Sequence, residues 1–96
     1  MGEKMQAEST VFIDNERTRV TEWRFAPGAS TGWHRHEYDY VVVPMLDGKL
    51  ELTTGDDEKK VAELSAGVPY FRQVGVEHDV TNVNGFEYAF IEIEFK

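Results

Sequence analysis

The three histidines of this 96-residue chain, His34, His36 and His78, are spaced as metal ligands would be. His34 and His36 are two apart, so on an extended strand both imidazoles project to the same face. His78 comes much later, just past Gly75. If its strand lies beside the first, three imidazoles converge and leave open positions on a bound cation, as catalytic metal sites require. Neutral imidazole suits zinc, iron, copper and nickel. The chain has no cysteine, which excludes disulfides, thiolate catalysis and Cys-ligated clusters. A His-x-His pair is a weak signal alone, because single histidines are more often hydrogen-bonded structural residues.

The surrounding glycines sharpen it. Gly28, five residues, His34-Arg35-His36 and a later Gly48 form one pattern. Gly67, five residues, Gln73-Val74-Gly75, two residues, His78, three residues and Asn82 form a second. Together these stretches resemble the two motifs of the cupin family, and they span residues 28–82. The resemblance implies an all-β fold, a small antiparallel β-barrel of jelly-roll type. It also implies one divalent metal ion (iron, manganese, nickel or zinc) held inside by His34, His36 and His78. A homodimer is expected from the small core and the family's habit.

Two departures from the family pattern matter. Gln73 stands where the second motif has proline. The glutamate ligand of the first motif is missing: the two permitted spacings place Tyr40 or Val41 there. Asp39 shares strand parity with Val41 but is expected in the turn after the His-x-His strand. The site therefore resembles a three-histidine variant, whose metal complex is one charge more positive and favours an anionic or enolate-like substrate. Some three-histidine members of the family are iron dioxygenases acting on thiols or β-dicarbonyls, so the resemblance leans toward dioxygenase chemistry. Isomerase, lyase or hydrolase chemistry fits the same residues, because fold and ligands do not set reaction class. The alternative is a non-catalytic metal- or ligand-binding accessory or sensor module in amino-acid catabolism. The missing carboxylate and the lack of an obvious general base favour that alternative.

Among other residues, Tyr40 and Arg72 are the candidate catalytic groups. Tyr40 follows the His-x-His pair and can hydrogen-bond near the metal. Arg72, in the aromatic segment Tyr70-Phe71-Arg72, is the best of three candidate anchors for a substrate carboxylate, ahead of Arg24 and Arg35. Arg35, Glu77 and Trp33 should point away from the metal by parity, and Trp33 should serve sheet packing or a dimer contact. Val41, Val43 and Met45 share a face expected to line the cavity. Glu92 and Glu94 are expected on a solvated strand face.

The elements that must position these residues are strands. Arg19–Phe25, Lys49–Thr53 and Glu87–Lys96 alternate with period 2. Val11–Ile13, Trp33–His36, Tyr40–Leu46, Val61–Leu64, Pro69–Val74 and Val76–Val83 are further extended segments. Turn residues such as Pro27-Gly28, Asp47-Gly48 and Asn82–Gly85 recur between them, and no helical period is visible. Pro44 requires an edge or a bulge within its strand. One domain over residues 10–96 is expected, behind a mobile tail at 1–9. The net charge of −8 gives no basic footprint for nucleic acid or for an anionic membrane surface. No apolar run approaches the roughly 20 residues of a membrane span. The first ten residues lack an apolar signal core, so a cytoplasmic location and a small-molecule partner are expected.

Overall fold

Among the described residues nine strands form where alternation and turn residues place them. The computed structural model describes residues 5–96. The strands are β1 (Glu8–Asp14), β2 (Thr18–Phe25), β3 (His34–Arg35), β4 (Asp39–Pro44), β5 (Gly48–Thr53), β6 (Lys59–Leu64), β7 (Tyr70–Arg72), β8 (Glu77–Asn82) and β9 (Tyr88–Phe95). No helix occurs among the described residues. The strands make two sheets, ordered β1-β2-β9-β4-β7 and β3-β8-β5-β6, and every strand pair is antiparallel. The two sheets pack face to face around one core and do not close into a continuous ladder. This is the expected all-β jelly-roll barrel.

The core lies between the sheets. Phe25, Tyr40, Val42, Tyr88 and Phe90 from the five-stranded sheet meet Leu50 and Val80 from the other. The rings of Phe25 and Phe90 are 5.6 Å apart. Two motif residues have structural reasons. A Cβ on Gly48 would stand 2.7 Å from the Tyr88 ring, so only glycine lets that ring pass beneath the turn. The Asn82 side chain is fully buried. Its amide donates to the carbonyls of Phe25, Ala26 and Phe86, and its oxygen accepts from the Asn84 backbone and side chain. It ties the end of β8 to the turns after β2 and before β9.

Three expectations are corrected here. Along β4 the inward residues are Tyr40, Val42 and Pro44, all buried, while Val41 and Val43 are half-buried and Met45 is exposed. The face expected to line the cavity is therefore the outer one. Along β9 the inward residues are Tyr88, Phe90, Glu92 and Glu94, and both glutamates are only 7% exposed rather than solvated. The reason is register: Tyr40 pairs with Glu94 and Val42 with Glu92, so the four share one face. The tail expected at 1–9 is paired from residue 5 onward. Ala7 is buried, its N–H donates to the Ser30 carbonyl, and Glu8 and Ser9 belong to β1. Residues 1–4 of that expectation lie outside the described residues.

Pro44 sits in an inner strand without a bulge. It is tolerated because β7 pairs only with Tyr40–Val42, so no neighbour on that side needs its missing N–H.

Candidate metal centre

Strands β3 and β8 put His34 directly opposite His78. His36 follows β3 and stays extended: its N–H donates to the Val76 carbonyl, and its own carbonyl accepts from Gly75 N–H, both at 2.9 Å. Gly75 needs a φ of 98° to make this bracket, the left-handed region that glycine adopts freely. The alternation of the His-x-His pair then directs both side chains inward. The Nε2 atoms of His34 and His36 are 3.0 Å apart, and those of His36 and His78 are 3.1 Å apart. The three imidazoles expected to converge do so.

Their proton states suit a cation. His34 Nδ1 is 2.9 Å from the Gly32 carbonyl, which can only accept, so Nδ1 carries the proton and Nε2 turns its lone pair inward. Burial, then the neighbouring histidines, hold His36 down to about 4 and His78 down to about 3. At neutral pH both are uncharged. Convergent nitrogen lone pairs repel one another unless a proton or cation lies between them, so the donor set fits a divalent metal ion.

At the position of the missing motif carboxylate, the Tyr40 ring stacks on His36, with centroids 3.9 Å apart and planes 15° from parallel. Asp39 is not in the turn expected of it but opens strand β4 opposite Phe95, and its carboxylate is turned away from the site, accepting the Val74 N–H at 2.7 Å. Carboxyl groups reach the site from β9 instead. Glu92 Oε2 is 3.6 Å from His36 Nδ1. Burial, then the charge of Glu94, push the Glu92 carboxyl up to about 7, against a hydrogen bond from Trp23 that lowers it. With His36 lowered and Glu92 raised, the two are neutral together at mildly acidic pH, so their proximity is not an ion pair there. Glu94 is held by Arg19 in a two-pronged pair at 2.6 and 3.1 Å.

The histidines stand between two cavities. The inner one, about 30 Å³, is lined by Tyr40, Val42, Leu50, Tyr70, Arg72 and Phe90 among others. The outer one, about 320 Å³, opens past Ser9, Arg19, Thr21, Arg35 and Glu94 and has the size of a small-ligand site. His34, His36, Trp23, Thr31 and Glu92 border both.

Of the candidate anchors, Arg72 lines the inner cavity with its guanidinium 4.7 Å from the Tyr70 ring centroid. Arg24 is engaged with Glu22 and Glu87 and borders neither cavity. Arg35 is an exposed rim residue 4.0 Å from Glu77. Trp33 is 52% exposed. Sequence reasoning missed Glu92, Glu94, Trp23 and Arg19 as cavity residues. The available signal was the shared parity of both glutamates with Tyr88 and Phe90.

Comparison with known proteins agrees with this geometry. The model of the cupin domain matches residues 21–93. The chain is 53% identical, over the whole of both sequences, to the beta-alanine degradation protein BauB of Pseudomonas aeruginosa. It superposes on the crystal structure of a cupin domain from Bordetella pertussis with a TM-score of 0.96, at 52% identity over 100% of this chain and 99% of that one. A protein with a double-stranded β-helix domain from Klebsiella pneumoniae shares the fold at a TM-score of 0.75 and 19% identity, covering 97% of this chain and 79% of that one. Motif spacing, sheet order and full-length likeness agree, and the chain belongs to the cupin family.

Proposed function

We propose that this protein is a metal-dependent enzyme acting on a small anionic or carbonyl-containing metabolite. The observation that carries this reading is the convergence of three histidine Nε2 atoms at the junction of an inner and an outer cavity. His34, His36 and His78 would hold the ion through their Nε2 atoms, and imidazole nitrogen suits iron, nickel and zinc alike. A divalent ion bound there would supply Lewis acidity and, if iron, chemistry with dioxygen, which keeps the lean to dioxygenase activity.

The chain's own residues have separable roles. Arg72 offers its guanidinium to a carboxylate. Burial keeps the Tyr40 phenol well above its ordinary range, so it acts as a hydrogen-bond donor rather than a base. Glu92 supplies the titratable carboxyl whose absence favoured a non-catalytic accessory or sensor module. The name of the Pseudomonas relative, a beta-alanine degradation protein, supports a small carboxylate as substrate.

The test is metal content per chain, on protein purified without chelator, followed by oxygen consumption over a panel of small 3-oxo, β-amino and thiol carboxylates. One equivalent of metal and turnover is the expected result, with KM for the active carboxylate raised in Arg72→Ala. Thermal stabilisation by carboxylates without turnover would instead establish the accessory module.

We also propose a homodimer in which two copies cover the outer face of the five-stranded sheet. Ile13, Val20, Ile93, Val41 and Phe71 form one apolar row across that face by strand register. Neighbouring charges on this sheet pair with each other, Arg24 with Glu22 and Lys96 with Asp14, so the row can meet its own copy without like-charge conflict. Light scattering should give twice the 11.0 kDa chain mass, reduced to one chain in Val41→Lys. A monomeric wild type would sink this.

A further inference from the structure

We propose that Glu92 is a positioning residue of the metal centre, holding His36 from behind by its Nδ1 edge in place of the absent motif carboxylate. This rests on the metal reading above and assigns a role to a strand-β9 residue that lies outside both histidine motifs.

His36 Nε2 faces the other two histidines, so its Nδ1 edge points away from any ion they share. On that edge stands Glu92 Oε2, at 3.6 Å. This is just beyond hydrogen-bond distance, with the carboxylate oxygen facing the ring nitrogen. A ligating histidine needs an acceptor there, because a proton fixed on Nδ1 leaves Nε2 unprotonated toward the metal. His34 meets the same need with the Gly32 carbonyl at 2.9 Å.

Glu92 is prepared for the role. It is 7% exposed, its β9 backbone pairs with both β2 and β4, and the Trp23 indole N–H donates to its carboxylate. The carboxylate is thus held by Trp23 and presents Oε2 toward His36 Nδ1. The nearby Glu94 is not the competitor, since Arg19 occupies both of its oxygens. Tyr40, at the motif position, stacks on the His36 face and leaves the ring edge to Glu92.

Cobalt(II) binding to the metal-stripped full chain tests this, with affinity from chelator competition and coordination from the visible spectrum. Glu92→Ala should weaken binding about 10–100-fold, as loss of an outer-shell partner does. Glu92→Gln, which keeps one acceptor oxygen, should recover part of that loss. Trp23→Phe, which frees Glu92 from its anchor, should fall between wild type and Glu92→Ala. The cobalt spectrum should keep its shape in all three at saturation.

Equal affinity in wild type and Glu92→Ala overturns the proposal while leaving the metal site intact. A changed spectrum in both Glu92 variants also overturns it, because Glu92 would then be a ligand. If Glu92→Ala does not fold, Glu92→Gln and Trp23→Phe decide by the same readouts. A wild type that takes up no cobalt sinks the metal reading itself, and this role with it.

Discussion

His78→Ala is expected to abolish stoichiometric metal binding and the thermal stabilisation that metal confers. His78 gives one of three convergent nitrogens, with its Nε2 3.1 Å from that of His36. Two remaining imidazoles form an incomplete set, so the loss should far exceed the roughly 10–100-fold that follows removal of an outer-shell partner. A metal at a hundred times its dissociation constant stabilises the folded chain by about 2.7 kcal/mol. In a domain of this size that is a melting shift of about 10–20 °C. The wild type should show that shift on adding metal, and His78→Ala should show none. His78 is a cleaner target than His36, which also stacks on Tyr40 and faces Glu92. A metal-linked shift that survives in both His78→Ala and His34→Ala would rule out the three-histidine site.

The strands were legible because strand chemistry is local. Alternation in Thr18–Phe25 and Tyr88–Phe95 and the turn at Asp47-Gly48 need no tertiary information, and all nine extended segments became strands. The histidines were legible because their spacing already encodes a shared face. The facing of β4 and β9 was not. Reading apolar as interior put Val41, Val43 and Met45 into the cavity and Glu92 and Glu94 into solvent, and the barrel is built the other way. Its interior carries the polar groups of the candidate site, and the displaced apolar residues, Ile91, Ile93, Val41 and Val43, form the half-exposed outer face. Such a polar interior breaks the rule that links hydrophobicity to burial. The resolving cue is cross-strand register: once Tyr40 at the motif position points inward, Glu94 opposite it must do so too. That pairing joins residues far apart in sequence, and periodicity within a single strand does not contain it.

The same inversion makes the metal-free protein sensitive to acid, in a window set by three buried groups. His36 and His78 titrate near 4 and 3 in the fold against 6.5 ordinarily. Their contribution to stability is complete above pH 6.5 and is lost as pH falls toward the folded values, because the unfolded chain takes up protons that the folded chain refuses. Two such protons cost up to about 2.7 kcal/mol per pH unit. Glu92 runs the opposite way. Its carboxyl is raised from 4.5 to about 7, so its contribution is complete below pH 4.5 and is lost as pH rises through 7. Between pH 6.5 and 4.5 it offsets about half of the histidine loss and leaves a net fall of up to about 1.4 kcal/mol per unit toward acid. Asp14 and Asp56 sit below their ordinary value of 3.8, through hydrogen bonds with Lys96 and Thr54 respectively, so they act only at lower pH. The melting temperature of chelator-treated protein should therefore peak near pH 6.5 and fall on the acid side. Glu92→Gln should fall about twice as steeply there and be more stable than wild type at pH 8. Melting temperatures that stay level from pH 6.5 to 4.5 in both proteins would show that the histidines take up protons in the fold as freely as in the unfolded chain. The neutral, inward-facing donor set would then be wrong.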